Sequence, residues 1–235
     1  MGRMFEKRKS RMFARYDKMA KTFTRIGKEI AIAVKAGGPD PDSNPRLRTA
    51  IQNAKINNMP KDKVENAIKK ASGKDASDLS EVNYEGYGPH GVAIYVETAT
   101  DNPTRTVANV RSHFKKGGGQ MANSGALEFI FQRKGVFKID LEGKDPEELE
   151  MQFIEFGAED IEIDENTMIA YCSFEDFAGM QNELENNNIE INHAELERIP
   201  NNTVDLNEEQ MEELMKLIDR LEEDEDVQNV FHNIG

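Results

Sequence analysis

The chain has 235 residues, 37% of them hydrophobic, with 30 Lys and Arg against 44 Asp and Glu and a formal net charge of −14. That apolar content excludes a wholly disordered chain and suffices for one large domain or two to three small ones. No apolar run approaches the roughly 18 residues of a membrane helix, the basic start lacks the apolar stretch of a secretory signal, and the single cysteine, Cys172, excludes an intrachain disulfide.

In chain order, residues 1–12 carry Arg3, Lys7, Arg8, Lys9 and Arg11 and read as an arm that orders on meeting its partner. Met19, Phe23, Ile26, Ile30 and Ala33, spaced 4, 3, 4 and 3, predict one apolar stripe on a long helix ending near Gly37-Gly38. Arg15, Lys18, Lys21, Arg25 and Lys28 point away from that stripe. Pro39 to Asn44 form a stiff loop, and Asn44 as N-cap with Pro45 in the first turn starts a second helix that turns Leu47, Ile51 and Ala54 inward. Asn57-Asn58 end it. Pro60 opens a third helix with Val64, Ala67, Ile68 and Ala71 at helical spacing, closed by Gly73. Three such helices make a small bundle.

From Glu81 the period shortens. Strands are expected at 82–85, 91–98 and 127–132, with a helix over 103–116 ended by Gly117-Gly118-Gly119. A second unit follows: strand 136–139, helix 146–156, strands 161–163 and 168–174, helix 175–186 and strand 189–198. Its βαββαβ order is that of the ferredoxin-like split unit. Helix 207–221 and a strand near 227–231 then lack a partner, as does the unit at 81–132. The fold class is therefore α+β, with an N-terminal helical bundle over 1–78, a discontinuous middle α/β domain over 79–134 and 201–235, and a βαββαβ domain over 135–200 inserted into it.

Gly86-Tyr87-Gly88-Pro89-His90-Gly91 matches G-x-G-x-x-G, but a dinucleotide site needs a helix N-terminus next, and here a strand follows. A tight strand connection is the better reading. The four histidines stand at unrelated spacings, so neither a metal site nor a nucleophile-base pair is visible. Gly117 to Gly125, preceded by Lys115-Lys116, reads as a helix end and loop, with a phosphate-touching loop as the alternative. The run 222–226 reads as a solvated helix end or as a surface that keeps nucleic acid away.

Charge divides the chain more sharply than any motif. Residues 1–75 hold 19 Lys and Arg against 8 Asp and Glu, a net of +11, and the remainder holds 11 against 36, a net of −25. Carboxylates would solvate the first helices equally well, so the local reversal points to phosphate. The candidate nucleic-acid-binding residues are Lys7, Arg8, Lys9, Arg11, Arg15, Lys18, Lys21, Arg25, Lys28, Arg46, Arg48, Lys55, Lys61 and Lys63.

The stretch Phe23-Thr24-Arg25-Ile26-Gly27-Lys28-Glu29-Ile30, then Gly37-Gly38-Pro39-Asp40-Pro41 with Asn44-Pro45-Arg46-Leu47-Arg48, resembles the YebC/PmpR family of transcriptional regulators. Asn58-Met59-Pro60-Lys61-Asp62, Tyr84-Glu85-Gly86-Tyr87-Gly88-Pro89 and Thr100-Asp101-Asn102-Pro103-Thr104-Arg105-Thr106 extend the resemblance. It implies three domains with the last inserted in the middle one, a cytoplasmic protein, no cofactor and no catalysis. The start departs from the family's usual Gly-His-Ser-Lys-Trp, since this chain has Gly2-Arg3-Met4-Phe5. An organellar transit peptide is disfavoured by Glu6 and Asp17.

The resulting expectation is a non-enzymatic, nucleic-acid-binding regulator of gene expression, with DNA and transcription first. The related alternative, implied by the mitochondrial translational activator of cytochrome oxidase, is a ribosome-associated translation factor contacting ribosomal RNA or tRNA. No segment reads as a helix-turn-helix, and no stacked-aromatic signature of an RNA-binding sheet is present. A third reading is an adaptor whose acidic body binds protein partners. Neither a membrane nor a small-molecule substrate is expected.

Overall fold

The computed structural model describes the backbone of residues 2–73 and 78–235, and side chains from Met19 onward. The chain divides into two units, Met1–Ser80 and Glu81–Gly235.

The first unit holds α1 (Gly2–Gly37), α2 (Pro45–Ile56) and α3 (Lys61–Ala71). Its core joins Ile26, Ile30, Ala33 and Val34 of α1 to Leu47, Ala50 and Ala54 of α2 and Val64 of α3. The apolar stripe extends less far than its spacing predicts. Met19 is 40% exposed, because α1 has 36 residues against 12 and 11 in its partners and its stripe continues past them. The backbone is helical from Gly2, so the stretch read as a separate arm continues into α1; its side chains lie outside the described residues.

Buried Asn44 organises the first turn. Its side chain accepts from the Leu47 amide at 3.1 Å as the N-cap of α2, and its Nδ2 donates to the carbonyls of Ala33 at 2.8 Å and Gly38 at 2.9 Å. A Cβ on Gly37 would meet Asn44 Cγ at 2.7 Å. Gly37 is therefore the room that this one amide needs, and Gly38 turns the chain at φ +88°.

The second unit contains two four-stranded antiparallel sheets. One has the order β3-β1-β2-β8, from β1 (Ser80–Tyr87), β2 (Ala93–Thr100), β3 (Gln120–Met121) and β8 (Val227–His232). On one of its faces lie α4 (Pro103–Lys116) and α7 (Glu208–Glu222), with Val110, Phe114, Leu214, Leu217 and Leu221 packed on Val92, Ile94 and Val96. On the opposite face Leu127 and Phe131 cover Ala93 and Tyr95.

The other sheet has the order β5-β6-β4-β7, from β4 (Phe131–Asp140), β5 (Asp160–Asp164), β6 (Thr167–Ser173) and β7 (His193–Pro200), with α5 (Pro146–Glu155) and α6 (Phe177–Asn186). Every pairing is antiparallel, which is the ferredoxin-like arrangement. Leu149, Phe153, Phe177, Met180 and Leu184 of its helices close over Phe137, Ile139, Met168 and Ala170.

Where strands at 127–132 and 136–139 are expected, one strand, β4, takes in the last two residues of the first and all of the second, and 124–130 is turn. Arg133-Lys134-Gly135 looks like a break in sequence, yet Gly135 is a packing position. A Cβ there would meet Phe177 Cδ2 at 2.5 Å and Cys172 Sγ at 2.6 Å.

Candidate nucleic-acid interface

The division of charge coincides with the division of structure. Met1–Ser80 holds 19 Lys and Arg against 9 Asp and Glu, a net of +10, and Glu81–Gly235 holds 11 against 35, a net of −24.

Eight of the predicted site residues have described side chains. Lys21 on α1, Arg46 and Lys55 on α2 and Lys61 and Lys63 on α3 are exposed. Arg25 and Lys28 are half-buried, as is Arg48, whose Nη1 donates to the carbonyls of Pro41 at 3.2 Å and Asp42 at 3.5 Å. Arg48 thus secures the Pro39–Asn44 loop. Lys61 pairs loosely with Glu65 at 3.7 Å, one helical turn on. The Lys63 ammonium stands 5.0 Å from the Phe23 ring centroid, which brings a cation of α3 against α1. Lys7, Arg8, Lys9, Arg11, Arg15 and Lys18 belong to the helical backbone of α1, and their side chains lie outside the described residues.

Of the cations in this run that sequence reasoning left out, three have described side chains. Lys35 is tied to Asp78 and holds that carboxyl below its usual range. Lys69 and Lys70 are exposed in the last turn of α3, where the helix dipole favours them. Their signal was the basic composition itself.

Two motifs of the second unit serve the fold. Gly86 to Gly91 ends β1, makes a single 3-10 turn with His90 at φ 62°, and enters β2. A Cβ on Gly86 would meet Phe114 Cε1 at 2.6 Å, and one on Gly88 would meet Ile94 and Leu214 at 2.9 Å, so these glycines let α4 and α7 lie close on the sheet. His90 Nε2 is 2.8 Å from Glu213 Oε2 of α7.

The loop after α4 is held by a carboxylate from within. Buried Glu85 accepts from the amides of Gly125 at 2.7 Å and Leu127 at 2.6 Å, so amides that could have met a phosphate already bind an internal anion. Asn201 Nδ2 donates to the Phe129 carbonyl at 3.0 Å, and the Phe129 side chain stays 88% exposed.

The acidic run 222–226 is only partly solvated. Buried Asp226 accepts from Arg105 Nη2 at 2.7 Å, Thr106 Oγ1 at 2.8 Å and Thr100 Oγ1 at 3.2 Å. The charge of Asp226 is thus used to join α7's end to β2 and α4. Among the described residues no group of three or more His, Cys, Asp and Glu is placed to hold a metal ion, and no helix is long and apolar enough to cross a membrane.

Residues 3–74 match the family described as "TACO1/YebC protein N-terminal domain", and residues 79–234 match "TACO1/YebC second and third domain". The chain belongs to the TACO1/YebC family. A "Probable transcriptional regulatory protein" of Cytophaga hutchinsonii is 58% identical over 235 residues, covering 100% of this chain and 99% of that one. Another of the same name, from Porphyromonas gingivalis, is 56% identical, covering 100% and 97%. The crystal structure of a conserved hypothetical protein from Aquifex aeolicus superposes with a TM-score of 0.82 at 40% identity, over 92% of this chain and 90% of that one. The family read from the Gly37 to Leu47 and Tyr84 to Pro89 motifs is therefore the one to which this TACO1/YebC chain belongs.

Proposed function

We propose that this TACO1/YebC chain is a non-enzymatic regulator of gene expression that binds nucleic acid through its basic N-terminal unit. The observation that carries this reading is the change from +10 to −24 at the boundary between the structural units. A cationic unit attracts the polyphosphate while an anionic one repels it, so the protein meets its target in one orientation. We assign 1–78 to the binding domain, 79–134 with 201–235 to the middle domain and 135–200 to the inserted domain, supported by the pairing of β8 with β2 across the intervening sheet. The protein acts in the cytoplasm, without cofactor or small-molecule substrate.

The names of the relatives favour DNA and transcription. A second reading, a translation factor contacting ribosomal RNA or tRNA, is favoured by the spread of exposed cations over α1, α2 and α3. A single recognition helix in a major groove would gather them on one element. Cosedimentation with ribosomes, set beside binding of promoter DNA at the same salt, separates the two. Promoter binding alone supports transcription, ribosome binding alone supports translation, and neither would refute the nucleic-acid reading.

A further inference from the structure

From Asp145 to Glu197 the sequence has 17 Asp and Glu and no Lys or Arg. Solvation alone would put more such charge on every outward position of the helices in this stretch. On α5 it does not. Leu149 and Phe153 turn into the core, while Met151 and Ile154, three residues apart on the outward side, are 66% and 58% exposed. The edge strand β5, into which α5 leads, exposes Ile163 at 51%. Three of the seven exposed large hydrophobic residues among the described residues thus lie within 151–163. Exposed Glu147 and Glu155 stand one turn to either side of Met151, and exposed Glu150 one turn before Ile154.

We propose that the outward face of α5 docks a cationic amphipathic segment of another protein. The charge selects the occupant. Such a concentration of carboxylates repels nucleic acid and attracts Lys and Arg, and it accelerates and orients encounter. The apolar pair then gives such a segment something to bury, since an apolar helix face laid on Met151 and Ile154 places its own cations against Glu147, Glu150 and Glu155. Methionine, unbranched and flexible, adapts to side chains of varied shape. This surface is independent of the nucleic-acid reading.

The test uses the full chain and two synthetic Leu/Lys peptides of identical composition, one with leucine at helical period and one with the order permuted to destroy it. Fluorescence anisotropy at about 0.15 M salt keeps long-range attraction screened. The periodic peptide should bind roughly tenfold tighter than the permuted one. Met151→Ser with Ile154→Ser, both exposed positions, should remove that preference and leave the permuted peptide's affinity unchanged. Equal affinity of the unaltered chain for the two peptides, a measurement that needs no variant, would show that the surface acts only as a polyanion and would overturn the proposal. So would an undiminished preference in the double variant, or no binding of either peptide.

Discussion

Two carboxylates that composition counts as surface charge prove to be internal. Glu85 and Asp226 are each buried, and each is satisfied by several donors from other segments. Nothing in a list of residues separates such a group from the exposed Glu222, Glu223 and Glu225, because its partners come from β2, α4 and a loop far away in the chain. Asp226→Ala should lower stability by about 2–3 kcal/mol in chemical denaturation, since Thr106 and Thr100 lose a charged acceptor while half-exposed Arg105 escapes to water. A loss below about 0.5 kcal/mol would mean that the network is incidental.

Burial pushes the Cys172 thiol up from 9.0 to about 12 and the Tyr171 phenol up from 10.0 to about 12. Below about pH 8 both groups are neutral in the folded and the unfolded chain, and they add little pH dependence. Above it the unfolded chain loses these protons first, so stability falls as pH rises. Denaturant midpoints should therefore drop between about pH 8 and pH 10.5, and less so in Cys172→Ala. A flat profile would contradict the burial of Cys172.

At the scale of elements, local signals were legible where the chemistry is local. Asn44 with Pro45 announced its helix, and the structure shows the Asn44 side chain accepting from the Leu47 amide three residues on; Asn102 and Asn207, not singled out in the sequence, cap their helices in the same way. The start of β4 was not legible, because Gly135 reports on Phe177 and Cys172, which reach it only through the fold. Gly135→Ala should accordingly cost about 1–3 kcal/mol, through overpacking rather than backbone strain. Thermal unfolding with an unchanged midpoint would show that β4 and α6 have room to part.

The helices of the first unit make a different prediction. Lys21, Lys55 and Lys61 stand exposed on α1, α2 and α3, whereas Arg25, Lys28 and Arg48 are half-buried. Reversing the exposed three to Glu should leave the melting temperature within the range of ordinary surface changes, about 0.5 kcal/mol each, and should flatten the salt dependence of nucleic-acid binding by about 3 in log-log slope. An unaltered slope would assign the contact to other residues. The periodicity of α1 foretold which side holds the core, but it could not tell exposed Lys21 from half-buried Arg25, since both lie off the apolar stripe.

Taken whole, the chain is a cationic unit of +10 joined to an anionic one of −24. Charge was legible from the sequence because it needs no geometry, and the family motifs were legible because long specific stretches carry them. The docking face on α5 was not, since the exposure of Met151 and Ile154 depends on which side of the helix meets the sheet. The central claim is that the first unit alone accounts for nucleic-acid affinity. The direct measurement is the binding of duplex DNA and of ribosomal RNA by residues 1–78 and, separately, by residues 79–235, across a salt series. With about 5–8 phosphates neutralised, residues 1–78 should give a log K against log salt slope of roughly −4 to −7 on duplex DNA, and residues 79–235 should show nearly no affinity for either target. Retained binding by residues 79–235, or a flat salt response from residues 1–78, would contradict the account.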